Sequence, residues 1–149
     1  MNTKQKTRLF EKAKDRMITF SGLKVAVLGL TFKAGTDDLR EAPASENIKL
    51  LLEQGADIYA YDPAGIPRAK MEFPEGKIGR GSITYVESPQ EALNGANICF
   101  VFTEWPQIKG VTPVQYKEWM RTPLVYDGRN LYTLDEMKDA GIEYYSIGR

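Results

Sequence analysis

Between Thr31 and Glu41 the chain gathers Lys33, Thr36, Asp37, Asp38, Arg40 and Glu41 directly after a run that reads as a buried strand. Lysine is a mobile point cation and arginine a rigid fork of donors, and both suit phosphate. A dinucleotide loop would need G-x-G-x-x-G here, whose glycines permit the tight turn, the approach to the pyrophosphate and close helix packing. Only Gly29 and Gly35 are present, and no Gly-Lys-Ser/Thr follows. Charged side chains stand where such loops use backbone, which suggests a related but different nucleotide site. The same charges also read as an exposed loop in which Lys33 and Arg40 pair with Asp37, Asp38 and Glu41, each pair contributing little. Asp37 and Asp38 could instead cap the next helix or orient the arginine. A second loop, Asp127-Gly128-Arg129-Asn130, carries Arg129 either toward a ligand or as decoration of a turn.

The chain has no histidine and one cysteine, Cys99. Serine–histidine and cysteine–histidine catalysis are therefore excluded within it, and no metal site is expected. Cys99 lies inside Ile98-Cys99-Phe100-Val101, where a buried, inert thiol is expected. Twenty basic and twenty acidic residues cancel, so there is no general footprint for nucleic acid or an anionic membrane. No apolar run approaches the roughly 20 residues of a membrane span. The N-terminal stretch lacks the apolar core of a secretory signal, and a reducing, cytoplasmic location is the expectation.

The elements that must position these groups alternate. Residues 3 to 19 place Leu9, Phe10, Ala13, Met17 and Ile18 near helical spacing, predicting an amphipathic helix before the first strand. Val25 to Leu30 is continuous and β-branched, as a strand covered on both faces would be. Pro43 opens a helix through Gln54, Gly55 stops it, and residues 56 to 63 read as a second strand. Residues 64 to 81, rich in Gly, Pro and charge, read as a long surface connection. Strands follow at Ile83–Val86, Asn97–Phe102, Leu124–Tyr126 and Ile142–Tyr145. Helices are predicted after Ser88, which forms a capping box with Glu91 and has Pro89 at the first helical position, and at Pro106–Gly110, Val114–Met120 and Thr133–Ala140. Trp105, Trp119 and the tyrosines read as core and helix-face residues. The pattern predicts an α/β fold, an open, mostly parallel, doubly wound (Rossmann-like) sheet with helices on both faces, preceded by an N-terminal helix. Ligands of such sheets lie beyond the carboxyl ends of the strands, where both charged loops would emerge.

The run GLTFKAGTDDLREAP, residues 29 to 43, resembles the motif G-x-[TS]-[FY]-K-x-x-T-D-D-x-R-x-[SA]-P that opens the C-terminal domain of the UDP-glucose/GDP-mannose dehydrogenase family. Tyr61-Asp62-Pro63, Thr103-Glu104-Trp105, Asp127-Gly128-Arg129-Asn130 and the terminal Y-S-I-G-R match in order, so the resemblance spans nearly the whole chain. The REAP variant is most similar to the UDP-glucose 6-dehydrogenase branch.

The resemblance implies a complete enzyme that oxidises UDP-glucose to UDP-glucuronate with NAD, through a cysteine nucleophile. Its NAD loop and nucleophile segment have no counterpart here, and Cys99 does not match the nucleophile. No catalytic residue is therefore expected in this chain, which alone is expected to be inactive. Residues 1–20 would be the end of a long connecting helix, and residues 21–149 the UDP-binding C-terminal domain. Phe32 and Lys33 match positions that contact the uridine nucleotide. Arg129 matches an arginine reaching the active site of a partner subunit, and Arg40 one that reaches the NAD pyrophosphate. The implied partners are UDP or UDP-glucose, the N-terminal half of the enzyme and a second subunit in a homodimer. Ala34-Gly35 departs from the common Pro-Asn, a change in loop stiffness more than in ligand contacts. Two other readings stay open: a non-catalytic assembly or regulatory module, and a branch acting on GDP-mannose or a UDP-N-acetyl sugar.

Overall fold

In the computed structural model, which describes residues 6–147, seven strands form one sheet in the order β3-β4-β2-β1-β5-β6-β7. The strands are β1 (Lys24–Leu28), β2 (Asp57–Tyr61), β3 (Gly76–Ile78), β4 (Gly81–Tyr85), β5 (Ile98–Val101), β6 (Leu124–Asp127) and β7 (Glu143–Ser146). All neighbours pair in parallel except β3 on β4. Leaving β3 aside, the order runs outward in both directions from β1, and the direction of winding reverses between β1 and β5.

Side chains alternate across the sheet and sort the helices into two layers. Val25, Val27, Ile58 and Phe100 face α1 (Arg8–Arg16), α2 (Pro43–Glu53) and α3 (Ile66–Glu72), packing with Phe10, Ala13, Ile48, Leu51 and Ala69. Ala26, Leu28, Cys99, Val101 and Val125 face the opposite layer, made by α4 (Pro89–Leu93), α5 (Pro106–Lys109), α6 (Pro113–Trp119) and α7 (Leu134–Asp139). The central strands are buried on both faces, which is why they read as continuous apolar runs. The doubly wound sheet expected from the alternation of elements is the one observed.

Several boundaries differ from expectation. Residues 64 to 81 are not a plain connection. Pro67 sits in the first turn of α3, whose Ala69 is buried, and β3 then adds an antiparallel edge to β4. The Gly- and Pro-rich composition conceals both elements because each is short. The N-terminal helix ends at Arg16, with Met17 extended at φ −94° and ψ 140°, so Ile18 is fully exposed rather than on the apolar face. Residues 3–5 of that expected helix, and Gly148 and Arg149 of the terminal motif, lie outside the described residues. At α4 the capping box is half formed: Ser88 accepts from the Glu91 N–H, while the Glu91 carboxylate accepts from the N–H of Glu87 instead of Ser88. Complete boxes occur at Thr112/Gln115 and Thr133/Glu136.

Candidate functional site

The parallel register brings the exits of four strands to one edge. Leu28 lies level with Tyr61 on β2 and Val101 on β5, and Val101 lies level with Asp127 on β6. Beyond those residues come Gly29, Asp62, Phe102 and Gly128, so both charged loops emerge side by side.

Gly29 adopts φ +94°, and a Cβ there would stand 2.5 Å from Thr103 Oγ1. Glycine is required both by the left-handed backbone and by the closeness of the β5 exit. Thr103 Oγ1 donates to the Thr31 carbonyl at 2.7 Å, tying the β1 loop to the β5 loop.

The hub of the edge is Asp62, only 3% exposed. Its Oδ2 accepts from the backbone N–H of Leu30 at 2.7 Å and of Thr31 at 3.2 Å, and from the Trp105 indole Nε1 at 3.1 Å. Its Oδ1 accepts from Ala64 and Gly65 N–H at 2.8 and 2.7 Å. A buried carboxylate so fully hydrogen-bonded acts as a structural anchor. Trp105 is thus more than a core residue: its ring edge bolts the β5 loop to Asp62 and to Thr31 Oγ1, also at 3.1 Å.

The loop then rises from this anchor and closes on itself through the Phe32 N–H, which donates to the Asp38 carbonyl at 3.0 Å. Phe32, 41% exposed, and the exposed Lys33 project from it. Among the described residues Lys33 has no ion pair, whereas Arg40 is held by both oxygens of Asp38, with Nε and Nη2 donating at 2.9 to 3.2 Å. The alternative of a self-paired loop therefore describes Arg40 but not Lys33. The Arg40 fork holds the Asp38 carboxyl down to about 2 and is itself raised in return. Asp37 takes Arg68 of α3 at 2.9 Å, and Glu41, at φ +64°, takes Lys6 at 3.1 Å. Neither aspartate caps α2, whose N-cap position is Ala42 without a side-chain hydrogen bond. Arg40 and Arg68 flank an open cleft of about 500 Å³ also lined by Leu39 and Met71.

On the neighbouring loop, Asp127 is fully buried and accepts from the Arg129 and Leu131 N–H groups and the Tyr144 hydroxyl, each at 2.7 Å. Asn130, at φ +55°, exchanges hydrogen bonds with Ile147. The Arg129 guanidinium donates to the Glu104 carboxylate. Burial pushes the Glu104 carboxyl up, but the hydrogen bond and charge of Arg129, with the Glu104 and Ala34 N–H groups, outweigh it and leave it below its ordinary value. Glu104 thereby links Arg129 to the loop that carries Lys33.

The structure thus gathers Phe32, Lys33, Arg40 and Arg129 along one edge, with Arg40 on the α3 side and Arg129 beside the β5 loop. Sequence reasoning missed Asp62, Thr103, Glu104 and Arg68 as the groups that hold them. The first three lay in quoted motifs, but nothing in their spacing says which loop they brace. Cys99 is fully buried in β5, and burial pushes its thiol well up. Among the described residues no group of three or more His, Cys, Asp or Glu could hold a metal, and no helix is long and apolar enough to cross a membrane.

Comparison with known proteins agrees with this layout. Residues 26–134 match the UDP binding domain of the UDP-glucose/GDP-mannose dehydrogenase family. The chain is 41% identical over its whole length to UDP-glucose 6-dehydrogenase YwqF of Bacillus subtilis, of which it covers 32%, and 38% identical to a UDP-glucose 6-dehydrogenase of Pseudomonas aeruginosa, of which it covers 33%. It superposes with a TM-score of 0.74 on a UDP-glucose dehydrogenase from Pyrobaculum islandicum at 33% identity, covering 95% of this chain and 29% of that one. The chain spans about a third of the length of these curated relatives. Since the matched segment runs from β1 into α7 and holds both charged loops, the chain belongs to the UDP-glucose/GDP-mannose dehydrogenase family, as its UDP binding domain.

Proposed function

We propose that this chain is the nucleotide-binding part of an NAD-dependent UDP-glucose 6-dehydrogenase, which oxidises UDP-glucose to UDP-glucuronate in the cytoplasm. The observation that carries the reading is Lys33, without an ion pair among the described residues, beside the half-exposed Phe32 on a loop held by the Asp62 anchor. A ring face and a free ammonium presented from a rigid base suit a pyrimidine nucleotide and its phosphates, with little ordering left to do on binding. The identities of 41% and 38% to UDP-glucose 6-dehydrogenases favour that branch over one acting on GDP-mannose or a UDP-N-acetyl sugar.

In this reading α1, which ends at Arg16, is the end of a connecting helix, and the N-terminal half of the enzyme supplies the nucleophile and most of the NAD site. NAD, when bound, accepts the hydride. Arg40 fits the NAD pyrophosphate: its side chain is 89% exposed, its fork is oriented by Asp38, and it faces an open cleft that another domain can enter. Arg129, oriented by Glu104, reaches the sugar nucleotide of a partner subunit in a homodimer. Cys99, fully buried, has no part in the chemistry.

The test is titration of the 149-residue chain with UDP and UDP-glucose by calorimetry and amide shifts. Saturable shifts at Phe32 and Lys33 are expected, and a folded chain silent to about 10 mM UDP, where even a weak millimolar site would be mostly filled, overturns the reading. Mixing the chain with the separately expressed N-terminal half, NAD and UDP-glucose should restore NADH production. Continued inactivity of a stable complex would favour an assembly or regulatory module instead.

A further inference from the structure

A small pocket of about 50 Å³ lies between the start of α1 and the β6 loop. Its charged lining residues are Lys6, Arg8 and Arg129, its walls include Leu9 and Phe102, and among the described residues no carboxylate lines it. The partners of two of the cations stand outside it: Glu41 takes Lys6 at 3.1 Å, and Glu104 takes Arg129. Arg8 is exposed and has no ion pair among the described residues. Gly128 sets the closeness of the two walls, since a Cβ there would stand 3.1 Å from Leu9 Cδ1 and 3.2 Å from the Val101 carbonyl. Three cationic residues from two distant parts of the chain line one spot, two of them already held from outside by Glu41 and Glu104, and an anion there is attracted by Arg8 and by the donors those ion pairs leave over.

We propose that this pocket binds one tetrahedral oxyanion, a phosphate or a phosphoryl group. Its volume suits a single such group, and two guanidinium forks and an ammonium are the donors that recognise one. Neither Phe32 nor Lys33 lines the site, while Arg129, which the nucleotide reading also uses, does, so the proposal shares that one residue with it.

The experiment follows backbone amides of the chain during titration with inorganic phosphate and, separately, with UDP. Saturable shifts at Leu9, Gly128 and Arg129 with inorganic phosphate are expected, weakening as potassium chloride rises from about 50 to about 200 mM and screening shortens. If UDP moves the same amides, the group held is the phosphoryl end of a nucleotide; if only inorganic phosphate does, it is the free anion. Arg8→Gln should weaken binding about five- to tenfold by removing one charge-assisted donor, while Lys77→Gln on β3 leaves it unchanged. Absence of saturable shifts at these three amides up to about 50 mM phosphate, well past the range of a millimolar site, overturns the proposal. So does a folded Arg8→Gln chain that binds as tightly as the original. Phe32 and Lys33 amides report the nucleotide site in the same spectra, so the failure of one reading is distinguishable from failure of the other.

Discussion

The Trp105 indole donates to Asp62 Oδ2 at 3.1 Å, so the exits of β5 and β2 are bolted together across the exit of β1. Asp62 also receives four backbone N–H groups. Asp62→Asn keeps the shape but turns an NH2 toward groups that are all donors. It should cost about 3 kcal/mol, and Trp105→Phe about 1 kcal/mol, in urea unfolding monitored by circular dichroism.

Lys33 and Arg40 sit on one loop but are predicted to serve different ligands. Lys33→Ala should weaken UDP binding to this chain about tenfold in calorimetry, by loss of a charge-assisted contact to phosphate. Arg40→Ala should leave that affinity within about twofold, and reduce turnover only once the N-terminal half is added. Equal loss of UDP binding from both changes would contradict the division.

Asp38 is the carboxylate whose titration reports the Arg40 fork. Its folded pKa lies below its ordinary 3.8, at about 2, chiefly through the Arg40 side-chain hydrogen bond. The stabilisation is therefore present above the unfolded value and fades as pH falls through about 2. An NMR titration of the carboxyl carbon should find a midpoint near 2, and Arg40→Gln should move it back toward 3.8.

Gly29 leaves no room for a side chain, with a Cβ only 2.5 Å from Thr103 Oγ1 and a left-handed φ of +94°. Gly29→Ala should cost about 3 kcal/mol or more in the same unfolding measurement. Gly35, at φ +89° with nothing within 4 Å, should tolerate alanine at a cost of only about 1 kcal/mol, from backbone strain alone.

Cys99 lies fully buried between β1 and β6, and burial holds its thiol well above the ordinary range. Reaction with a chromogenic disulfide should be slower by about a hundredfold or more in the folded chain than in urea. Fast labelling under native conditions would mean that β5 is not packed as described.

Much of the fold was legible because the sheet writes itself in side-chain periods. Val25 to Leu28 and Ile98 to Val101 are apolar throughout since both faces are covered, and Ser88, Pro43 and Gly55 mark helix ends by local chemistry that tertiary contacts do not change. The short α3 and β3 were illegible for the same reason in reverse. Seven and three residues carry too little period to outweigh their Gly and Pro, and β3 exists only because β4 offers an edge.

The sequence by itself determined the alternating α/β order, the absence of a histidine-based centre, and the motif loop that carries Phe32, Lys33 and Arg40. Tertiary structure alone decided what those groups can do. Register, set by hydrogen bonds between distant strands, brought Asp62, Thr103 and Asp127 to one edge. Spacing could not say that Asp38 would hold Arg40 while Lys33 took no ion pair among the described residues, because both pairings are sterically open to a loop until its ends are fixed. Nor could it bring Arg8 and Arg129, 121 positions apart, to the walls of one pocket. That juxtaposition depends on how α1 lies across the sheet, which is settled by packing of Leu9, Phe10 and Ala13 and not by any local preference.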